Sequence, residues 1–318
     1  MTLPLGLGCM GMSGMYGATD ERESIRTIQT AIDRGITLLD TGDFYGMGHN
    51  ELLVGRAIQG RRDRVRLSVK FGALRGPDNS WHGIDTRPIA VKNFVAYSLK
   101  RLGVEVIDIY RPARLDPAVP IEDTVGAIAE LIKAGYVRSI GLSEVGVETI
   151  RRAQRVHPIV DLQIEYSIAS RAPEEKIFPA LHELGIGATL YGVFSRGLLT
   201  GSLLFGSQSG TTPGDFRMHL PRFAGAHRAH NEAAVRALHE LGRERGLTPG
   251  QLMVAWVMAK QPRFLPLIGA KTVAQLEDAL GALSRPLSAQ DLQALDGVAR
   301  IEGERYSPEA MRQLDSER

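Results

Sequence analysis

The feature that most constrains the fold of this chain is an alternation of short apolar segments with longer amphipathic ones. In the segment "DERESIRTIQTAIDRG" at 20–35, Asp20 can cap a helix whose apolar residues recur every three or four positions, and Gly35 can end it. The apolar run "ITLLD" follows at 36–40 and is typical of a strand. Because the alternation continues along the chain, it predicts a parallel sheet covered by helices.

Eight strand–helix units can be counted, which favours an α/β fold of the closed (β/α)8 TIM-barrel type, in one domain over 1–318. The predicted strands are "LPLGLGC", "ITLLD", "VRLSVKFG", "VIDIY", "RSIGLSEV", "VDLQIEYS", "GATLYGVF" and "FLPLIGAK". An open doubly wound sheet would predict a G-x-G-x-x-G motif after a strand, and no convincing one is present. One long segment at about 197–229, rich in Gly, Ser and Pro, is expected to form a lid or a ligand clasp.

Composition excludes several classes of protein. The net charge is only +2, and the basic run "GRRDRVR" at 60–66 is expected to be a solvated connection, so no nucleic-acid partner is expected. Because Cys9 is the only cysteine, an intramolecular disulfide and a cysteine-based metal site are excluded, and no metal is expected. The N-terminal segment does not resemble a secretory signal and no run of about 20 apolar residues occurs, so we expect a cytoplasmic enzyme without a membrane span.

In a barrel of this type, the residues that follow the carboxyl ends of the strands line one mouth. The polar side chains expected there are Asp40, Tyr45, Lys70, Ser143, Glu144, Gln163, Tyr166, Tyr191 and Lys271. They come from six different strands, so a functional site is predicted at this mouth.

The three residues Asp40, Tyr45 and Lys70 predict proton-transfer chemistry. Lys70 lies in the apolar strand "LSVKFG", where a buried ammonium needs an acid, and Asp40 on the neighbouring strand end is the natural partner. A paired Lys70 beside Tyr45 is expected to lower the phenol pKa from about 10, so that Tyr45 can protonate a carbonyl oxygen. Taken singly, each residue has a structural explanation: Asp40 in a turn, Tyr45 packed on the rim and Lys70 reaching for solvent. Their joint placement favours the functional one.

Several longer segments carry a family pattern. They are "GLGCMGMSGMYGATDERESI", "LLDTGDFYG", "NELLVGRAI", "SLKRLGVEVIDIY", "RLDPAVPIEDTV", "AGYVRSIGLSE", "QIEYS", "RGLLTG" and "RYSPEAM". On these segments the chain resembles the aldo-keto reductases, and among them the bacterial and plant subgroup whose members begin "LGLGCMGMS". The resemblance implies an NADPH-dependent reductase of aldehydes or activated ketones, a small-molecule carbonyl as substrate, and a catalytic set of Asp, Tyr, Lys and His, of which the first three map onto Asp40, Tyr45 and Lys70.

The fourth catalytic residue does not map. Family members carry "YYQHR" where this chain has "IYRPARLDP", so Ala113 stands at the position of the histidine. Loss of such a hydrogen-bond donor can cost ~10²–10³ in rate. Three alternatives follow: a slower or differently shaped reductase, a reductase in which another donor substitutes, or an NADPH-binding sensor or regulatory subunit with little turnover.

Four residues are candidates for the substrate pocket. They are Trp81, His82, Arg111 and Ala113. Arg111 stands two positions before Ala113, and Pro112 between them disturbs the strand alternation that would set its direction. Trp81 and His82, in the loop after the third strand, are better placed, although loop residues of this kind can also pack locally.

The resemblance implies that NADPH (NADP+) lies across the barrel mouth. Ser143, Glu144 and Gln163 match positions that hold the nicotinamide carboxamide, and Tyr191 matches the aromatic that stacks on its ring. Lys271, just before a helix, suits a 2′-phosphate and favours NADPH over NADH. The full set of implied cofactor contacts is Cys9, Met10, Ser143, Glu144, Gln163, Tyr191, Gly192, Ser195, Arg196, Gly197, Lys271, Gln275 and Asp278. One departure is Ala279, where an asparagine is usual.

Overall fold

Eight parallel strands close into a barrel in the computed structural model, which describes residues 2–78, 80–202, 204–205, 217, 220–298 and 300–317. The strands, with those of one hairpin, are β1 (Gly6–Gly8), β2 (Leu38–Gly42), β3 (Arg66–Phe71), β4 (Ala73–Arg75), β5 (Trp81–Ile84), β6 (Ile107–Pro112), β7 (Val137–Ser143), β8 (Ile159–Glu165), β9 (Gly187–Tyr191) and β10 (Leu265–Gly269). Neighbours in the barrel follow chain order, and β1 closes it against β10. The predicted (β/α)8 fold is confirmed.

The barrel is covered by helices that bury one apolar face. They are α1 (Glu21–Arg34), α2 (His49–Ala57), α3 (Pro88–Leu102), α4 (Ile121–Lys133), α5 (Val147–Val156), α6 (Ile177–Leu184), α7 (Gly225–Glu244), α8 (Pro249–Lys260) and α9 (Val273–Leu280), with α10 (Ala289–Asp296) and α11 (Pro308–Arg312) beyond the last strand. The predicted ends of α1 are confirmed, because the Asp20 carboxylate accepts from Glu23 N at 2.7 Å and Gly35 has φ +99°.

The long loop expected at about 197–229 differs from the structure at its end. Residues Pro221–Phe223 form a turn of 3₁₀ helix and α7 begins at Gly225, so the last part of the expected loop is helical. The first turns of α7 are polar because much of their surface faces solvent, and polarity concealed the helix from the sequence pattern. Part of the lid prediction falls on residues 203, 206–216, 218 and 219, which lie outside the described residues.

A small antiparallel hairpin, β4 with β5, lies between β3 and α3 and was not predicted. It pairs Ala73 with Ile84 and Arg75 with Trp81. A three-residue strand such as β4 gives too short an alternation to be recognised in sequence.

The strand register brings the expected site residues to one level. Gly42 of β2 pairs with Lys70 of β3, and Lys70 pairs with Arg111 of β6. On the other side of the barrel Ser143 pairs with Gln163, and Glu165 pairs with Tyr191. Residues from these strands therefore meet at the carboxyl mouth.

The segment after α10 returns to this mouth. The Asp315 carboxylate accepts from Gly146 N at 2.8 Å, Leu314 is buried, and Arg305 enters the interior with 5% of its surface exposed. The segment therefore supplies one wall of the candidate site. Across the described part of the chain, no helix combines the length and the apolar character needed to cross a membrane.

Candidate active site

Asp40 and Lys70 form a buried ion pair at the floor of the mouth. Lys70 Nζ donates to Asp40 Oδ1, and Asp40 Oδ2 accepts from Ser68 Oγ at 2.8 Å and from Gln163 Nε2 at 2.7 Å. Burial lowers the pKa of Lys70, and the Asp40 carboxylate acts in the opposite direction by favouring the charged ammonium. The expected pairing is present, and the lysine is held in a fixed position by it.

Tyr45 lies in the turn after β2, with its ring against this pair. Lys70 Nζ is 5.1 Å from the centre of the Tyr45 ring, and the edge of Phe44 packs on the same ring at 4.7 Å. Burial, with the charge of Asp40 as a second cause, raises the pKa of Tyr45 well above its ordinary value of 10. The expected lowering of this pKa is therefore wrong, because burial disfavours phenolate more than nearby cations favour it. The phenol keeps its proton at neutral pH, as a proton donor must.

Arg111 lies inside the barrel and not on the surface of a substrate pocket. Its guanidinium is fully buried, and it donates to Asp161 Oδ2 at 2.6 Å and to Leu142 O at 3.2 Å. Nη2 donates to Ser68 Oγ at 3.0 Å. The expectation of a substrate contact is corrected, because β6 turns this side chain to the same interior as its register partner Lys70, where Asp161 neutralises its charge.

Ala113 follows β6 at the rim, buried, and offers no donor to the mouth. Its backbone N–H donates to Phe71 O at 2.8 Å. The next residue, Arg114, extends a guanidinium whose Nη1 donates to Ala113 O at 2.6 Å and whose Nη2 donates to Tyr306 Oη at 3.3 Å. Sequence reasoning missed Arg114 and Tyr306, although the arginine of "YYQHR" and the tyrosine of "RYSPEAM" mark both positions.

Trp81 and His82 lie on β5 of the hairpin and are exposed. Trp81 has 49% of its surface exposed, and His82 Nε2 lies 2.9 Å from Ser80 Oγ within the hairpin. The contacts among the described residues do not join either side chain to Tyr45 or Lys70. A role for them in substrate binding stays a prediction.

Ser143 and Gln163, expected at the nicotinamide carboxamide, stand side by side at the ends of β7 and β8. The Ser143 hydroxyl is buried and has no hydrogen-bond partner among the described residues. A buried hydroxyl without a partner costs free energy, so an outside polar group is its natural complement. The side-chain NH2 of Gln163 donates to Asp40, whereas its carbonyl oxygen stays available as an acceptor. Ser143 and Gln163 together therefore fit a carboxamide, which both donates and accepts hydrogen bonds.

Glu144, expected at the nicotinamide carboxamide, is instead hydrogen-bonded to other side chains of the protein. Its Oε1 accepts from Tyr191 Oη at 2.8 Å and from Arg305 Nη1 at 2.9 Å, and its Oε2 accepts from Ser316 Oγ at 2.9 Å. Burial on its own favours the neutral acid, but Arg305 outweighs it and lowers the pKa of Glu144 to about 2. Because its oxygens are already occupied, Glu144 positions the Tyr191 ring and is not open to the carboxamide.

The loop after β9 has an unusual backbone. Ser195, Arg196 and Gly197 have φ of +45°, +58° and +92°, and Gly192 has φ +75°. The Ser195 and Gly197 N–H groups donate within the loop, to Gly192 O at 2.7 Å and to Phe194 O at 2.9 Å, so these two amides hold the turn together. Arg196 Nη2 donates to Glu165 Oε2 at 2.8 Å, which fixes a cation beside this loop. A pyrophosphate site at this loop stays a prediction.

Lys271 lies between β10 and α9, as expected for a 2′-phosphate site. Its Nζ donates to Tyr16 O at 3.1 Å, and its backbone N–H donates to Gln275 Oε1 at 2.8 Å. Asp278 is held elsewhere: its Oδ1 accepts from Thr248 Oγ1 at 2.8 Å at the start of α8. The structure therefore brings Lys271 and Gln275 together but holds Asp278 against the side chains that begin α8.

Cys9 and Met10 end β1 and begin the following turn. The Cys9 side chain is fully buried, burial raises the pKa of its thiol, and its carbonyl accepts from Asn50 Nδ2 at 2.8 Å. The side chain of Cys9 therefore belongs to the core and not to a binding surface, which corrects that expectation, whereas Met10 is partly exposed. Within the described ranges, no three His, Cys, Asp or Glu side chains are grouped as metal ligands.

Comparison with known proteins gives one consistent result. The family model described as "Aldo/keto reductase family" matches residues 4–300. A "Probable aldo-keto reductase 1" from Glycine max is 39% identical over 295 residues, covering 92% of this chain and 84% of its own. The NADP(+) aldo-keto reductase yakc from Schizosaccharomyces pombe is 36% identical over 318 residues, covering 97% and 93%. The solved structure of the glycerol dehydrogenase AKR11B4 from Gluconobacter oxydans superposes with a TM-score of 0.84 at 26% identity, covering 99% of this chain and 93% of that one.

Proposed function

This chain belongs to the aldo/keto reductase family, and from that premise we propose that it reduces aldehydes or activated ketones to alcohols with NADPH, Tyr45 being the proton donor. The observation that carries the proposal is the buried contact of Tyr45 with the Asp40–Lys70 pair. A protonated phenol, a fixed ammonium and its counter-ion are the groups needed to deliver one proton to a carbonyl oxygen.

Each of these residues has a separate task. When bound, NADPH supplies a hydride to the carbonyl carbon. Tyr45 holds its proton because of its raised pKa and releases it to the oxygen as negative charge grows there. Lys70 stabilises the phenolate that remains, and Asp40, fixed by Ser68 and Gln163, keeps the lysine charged and oriented.

The cofactor fits the residues at the mouth. We expect the unpartnered Ser143 hydroxyl and the Gln163 carbonyl to hold the carboxamide, and the Tyr191 ring, fixed by Glu144, to pack on the nicotinamide. We expect Arg196 and the loop around it to lie at the pyrophosphate, and Lys271 at the 2′-phosphate.

The decisive experiment measures NADPH oxidation with a panel of small aromatic and aliphatic aldehydes, beside Tyr45→Phe and with NADH as the alternative cofactor. We expect turnover by the unmodified protein and a loss of ~10²–10⁴-fold in Tyr45→Phe, the usual contribution of a general acid. Tyr97→Phe, an exposed tyrosine on α3, is the matched control and should leave turnover unchanged. Equal turnover in Tyr45→Phe would remove Tyr45 from the reaction.

A second candidate function is an NADPH-binding sensor or regulatory subunit with little turnover. The observation that favours it is the methyl group of Ala113, which gives the mouth no donor at that position. Tight NADPH binding, measured by protein fluorescence, together with no turnover on the whole panel would support this alternative against the reductase.

A further inference from the structure

We propose that Arg114 is the hydrogen-bond donor to the substrate carbonyl oxygen, in the place that histidine takes in relatives. This inference rests on the proposed reductase function and adds to it the residue that compensates for Ala113. Such a donor is needed because negative charge grows on the carbonyl oxygen during hydride transfer, and a preorganised donor lowers the energy of that charge.

Ala113 itself cannot supply the donor. Its side chain is a buried methyl group, and its backbone N–H is already bound by Phe71 O at 2.8 Å. The same hydrogen bond places the chain at residue 113 beside the end of β3, immediately after Lys70. Arg114 therefore leaves the backbone at the rim nearest to the catalytic lysine.

The guanidinium of Arg114 is held by neutral oxygens. It donates to the Ala113 carbonyl at 2.6 Å and to the Tyr306 hydroxyl at 3.3 Å. A guanidinium carries five N–H groups, so further donors remain after these two bonds. Arg114 is partly exposed and not sealed in the interior.

The other arginines at this mouth are in a different situation. Arg305 pairs with Glu144, and Arg196 pairs with Glu165 at 2.8 Å, so the charge of each is balanced by a carboxylate. Among the described residues, Arg114 contacts no carboxylate within ion-pair distance. Of these three guanidinium groups, that of Arg114 is therefore the one not already held by a carboxylate, and its remaining N–H groups are the ones we expect a developing oxyanion to use.

The electrostatic influence of Arg114 extends over the catalytic set. Burial raises the pKa of Tyr45, and Arg114 is the cation that acts against it. Burial lowers the pKa of Lys70, and Arg114 adds to that lowering. Ala113 N donates to Phe71 O, which puts residue 113 beside the residue that follows Lys70. Together with this contact, the influence of Arg114 on both groups favours it as the donor to an oxygen that Tyr45 protonates.

Tyr306 acts as a positioning residue for this arginine. Its hydroxyl accepts from Nη2 of Arg114, and its ring packs against the guanidinium of Arg196 at 4.7 Å. Burial on its own would raise the pKa of Tyr306, but Arg196 and Arg114 outweigh it and lower that pKa. The tyrosine is therefore fixed in place by two cations and limits the rotamers that Arg114 can adopt.

The test compares Arg114→Met, Arg114→Lys and the control Arg138→Met, an exposed arginine on β7. We expect Arg114→Met to lower kcat for aldehydes ~10²–10³-fold, as for loss of an oxyanion donor, with the KM for NADPH unchanged. Arg114→Lys should retain part of the rate, and Arg138→Met all of it. The double variant Ala113→His with Arg114→Met should recover part of the loss, because the imidazole would serve the same oxygen.

A binding measurement makes the test independent of turnover. Benzoate is the probe, since its carboxylate imitates the charged oxygen, and its affinity is measured by calorimetry. We expect about tenfold or greater weakening in Arg114→Met, as for loss of a charge-assisted hydrogen bond, and a smaller effect in Arg114→Lys. Far-UV circular dichroism of each variant checks folding. Tyr306→Phe is a second test, because it keeps Arg114 but removes the hydroxyl that holds it, and it should weaken benzoate binding less than Arg114→Met does.

The outcomes separate the two proposals. Normal turnover and normal benzoate binding in a folded Arg114→Met would overturn the role of Arg114 and leave the reductase function standing. No turnover by the unmodified protein, with benzoate binding lost in Arg114→Met, would overturn the reductase function and support Arg114 as the anion donor of this mouth.

Discussion

Nη2 of Arg111 lies 3.0 Å from the hydroxyl oxygen of Ser68, and Ser68 in turn donates to Asp40 Oδ2 at 2.8 Å. On its other side Arg111 donates to Asp161, which also accepts from Thr189 Oγ1. A continuous polar network therefore crosses the barrel interior from Asp40 to Thr189.

Arg111→Met is expected to lower the free energy of unfolding by about 3–5 kcal/mol, because it leaves the Asp161 carboxylate buried without a cation. Urea unfolding measures the change. Adding Asp161→Asn to Arg111→Met removes the unpaired charge and should recover much of the loss. Equal stability of the single and double variants would show that the ion pair does not control stability here.

Asp40→Asn should move the alkaline limit of activity to lower pH. Burial already lowers the pKa of Lys70, and Asp40 is its largest opposing influence, so removing that charge lets the ammonium lose its proton at a lower pH. The pH profile of aldehyde reduction checks this. A profile that superposes on that of the unmodified protein would separate Asp40 from the charge state of Lys70.

Asp43→Asn should make stability less dependent on pH. Burial, with the charge of Glu51 as a second cause, raises the pKa of Asp43 to about 7 from 3.8. The folded protein then binds one proton more than the unfolded chain between these values, so stability is full below about pH 4 and declines toward pH 7, by up to about 4 kcal/mol. Urea unfolding at pH 5 and pH 8 should show a smaller difference in Asp43→Asn than in the exposed control Asp63→Asn.

Lys271→Met should raise the KM for NADPH by about tenfold, as for loss of a charge-assisted hydrogen bond, and leave the KM for NADH nearly unchanged. Lys133→Met, an exposed lysine in the last turn of α4, is the control. If both cofactors are affected equally, Lys271 supports the loop through Tyr16 and does not read the 2′-phosphate.

Gly192→Ala should lower the free energy of unfolding by more than the strain of its positive φ alone would. Both Gly192 and Gly60 have positive φ, but a Cβ at 192 would lie 2.8 Å from Glu165 Cγ, whereas nothing lies within 4 Å of one at 60. Gly60→Ala should lower the free energy of unfolding by about 1–2 kcal/mol. Gly192→Ala should exceed this value and weaken NADPH binding, because Glu165 must shift and it holds Arg196. Equal costs at the two positions would show that Glu165 can move freely.

The sequence was sufficient for the barrel and for the central pair. Caps such as Asp20 and the spacing of apolar residues are local features, and Asp40 and Lys70 meet because adjacent parallel strands end at one level. The sequence was not sufficient for contacts between distant segments. Arg111 tolerates burial because of Asp161, 50 residues away, and Glu144 is occupied by Arg305, 161 residues away.

The direction of the pKa shift of Tyr45 also could not be predicted from the sequence. A neighbouring lysine suggests a lowered value, but the balance depends on how completely the phenol is removed from water, and only the packed structure supplies that quantity. The same holds for Arg114, whose chain neighbours are visible in sequence but whose freedom from carboxylate partners is not.

Closure of the barrel has a consequence for how the chain reaches this state. The closing pair joins Gly6 of β1 to Leu267 of β10, more than 250 positions apart along the chain. During synthesis β1 can pair with β2 early, but its other edge stays open until β10 has emerged. Contacts of such high sequence separation form slowly, and an open strand edge is a template for association with other chains. Barrel closure is thus expected to be the late step of folding, and the incompletely synthesised chain to be the form most exposed to aggregation.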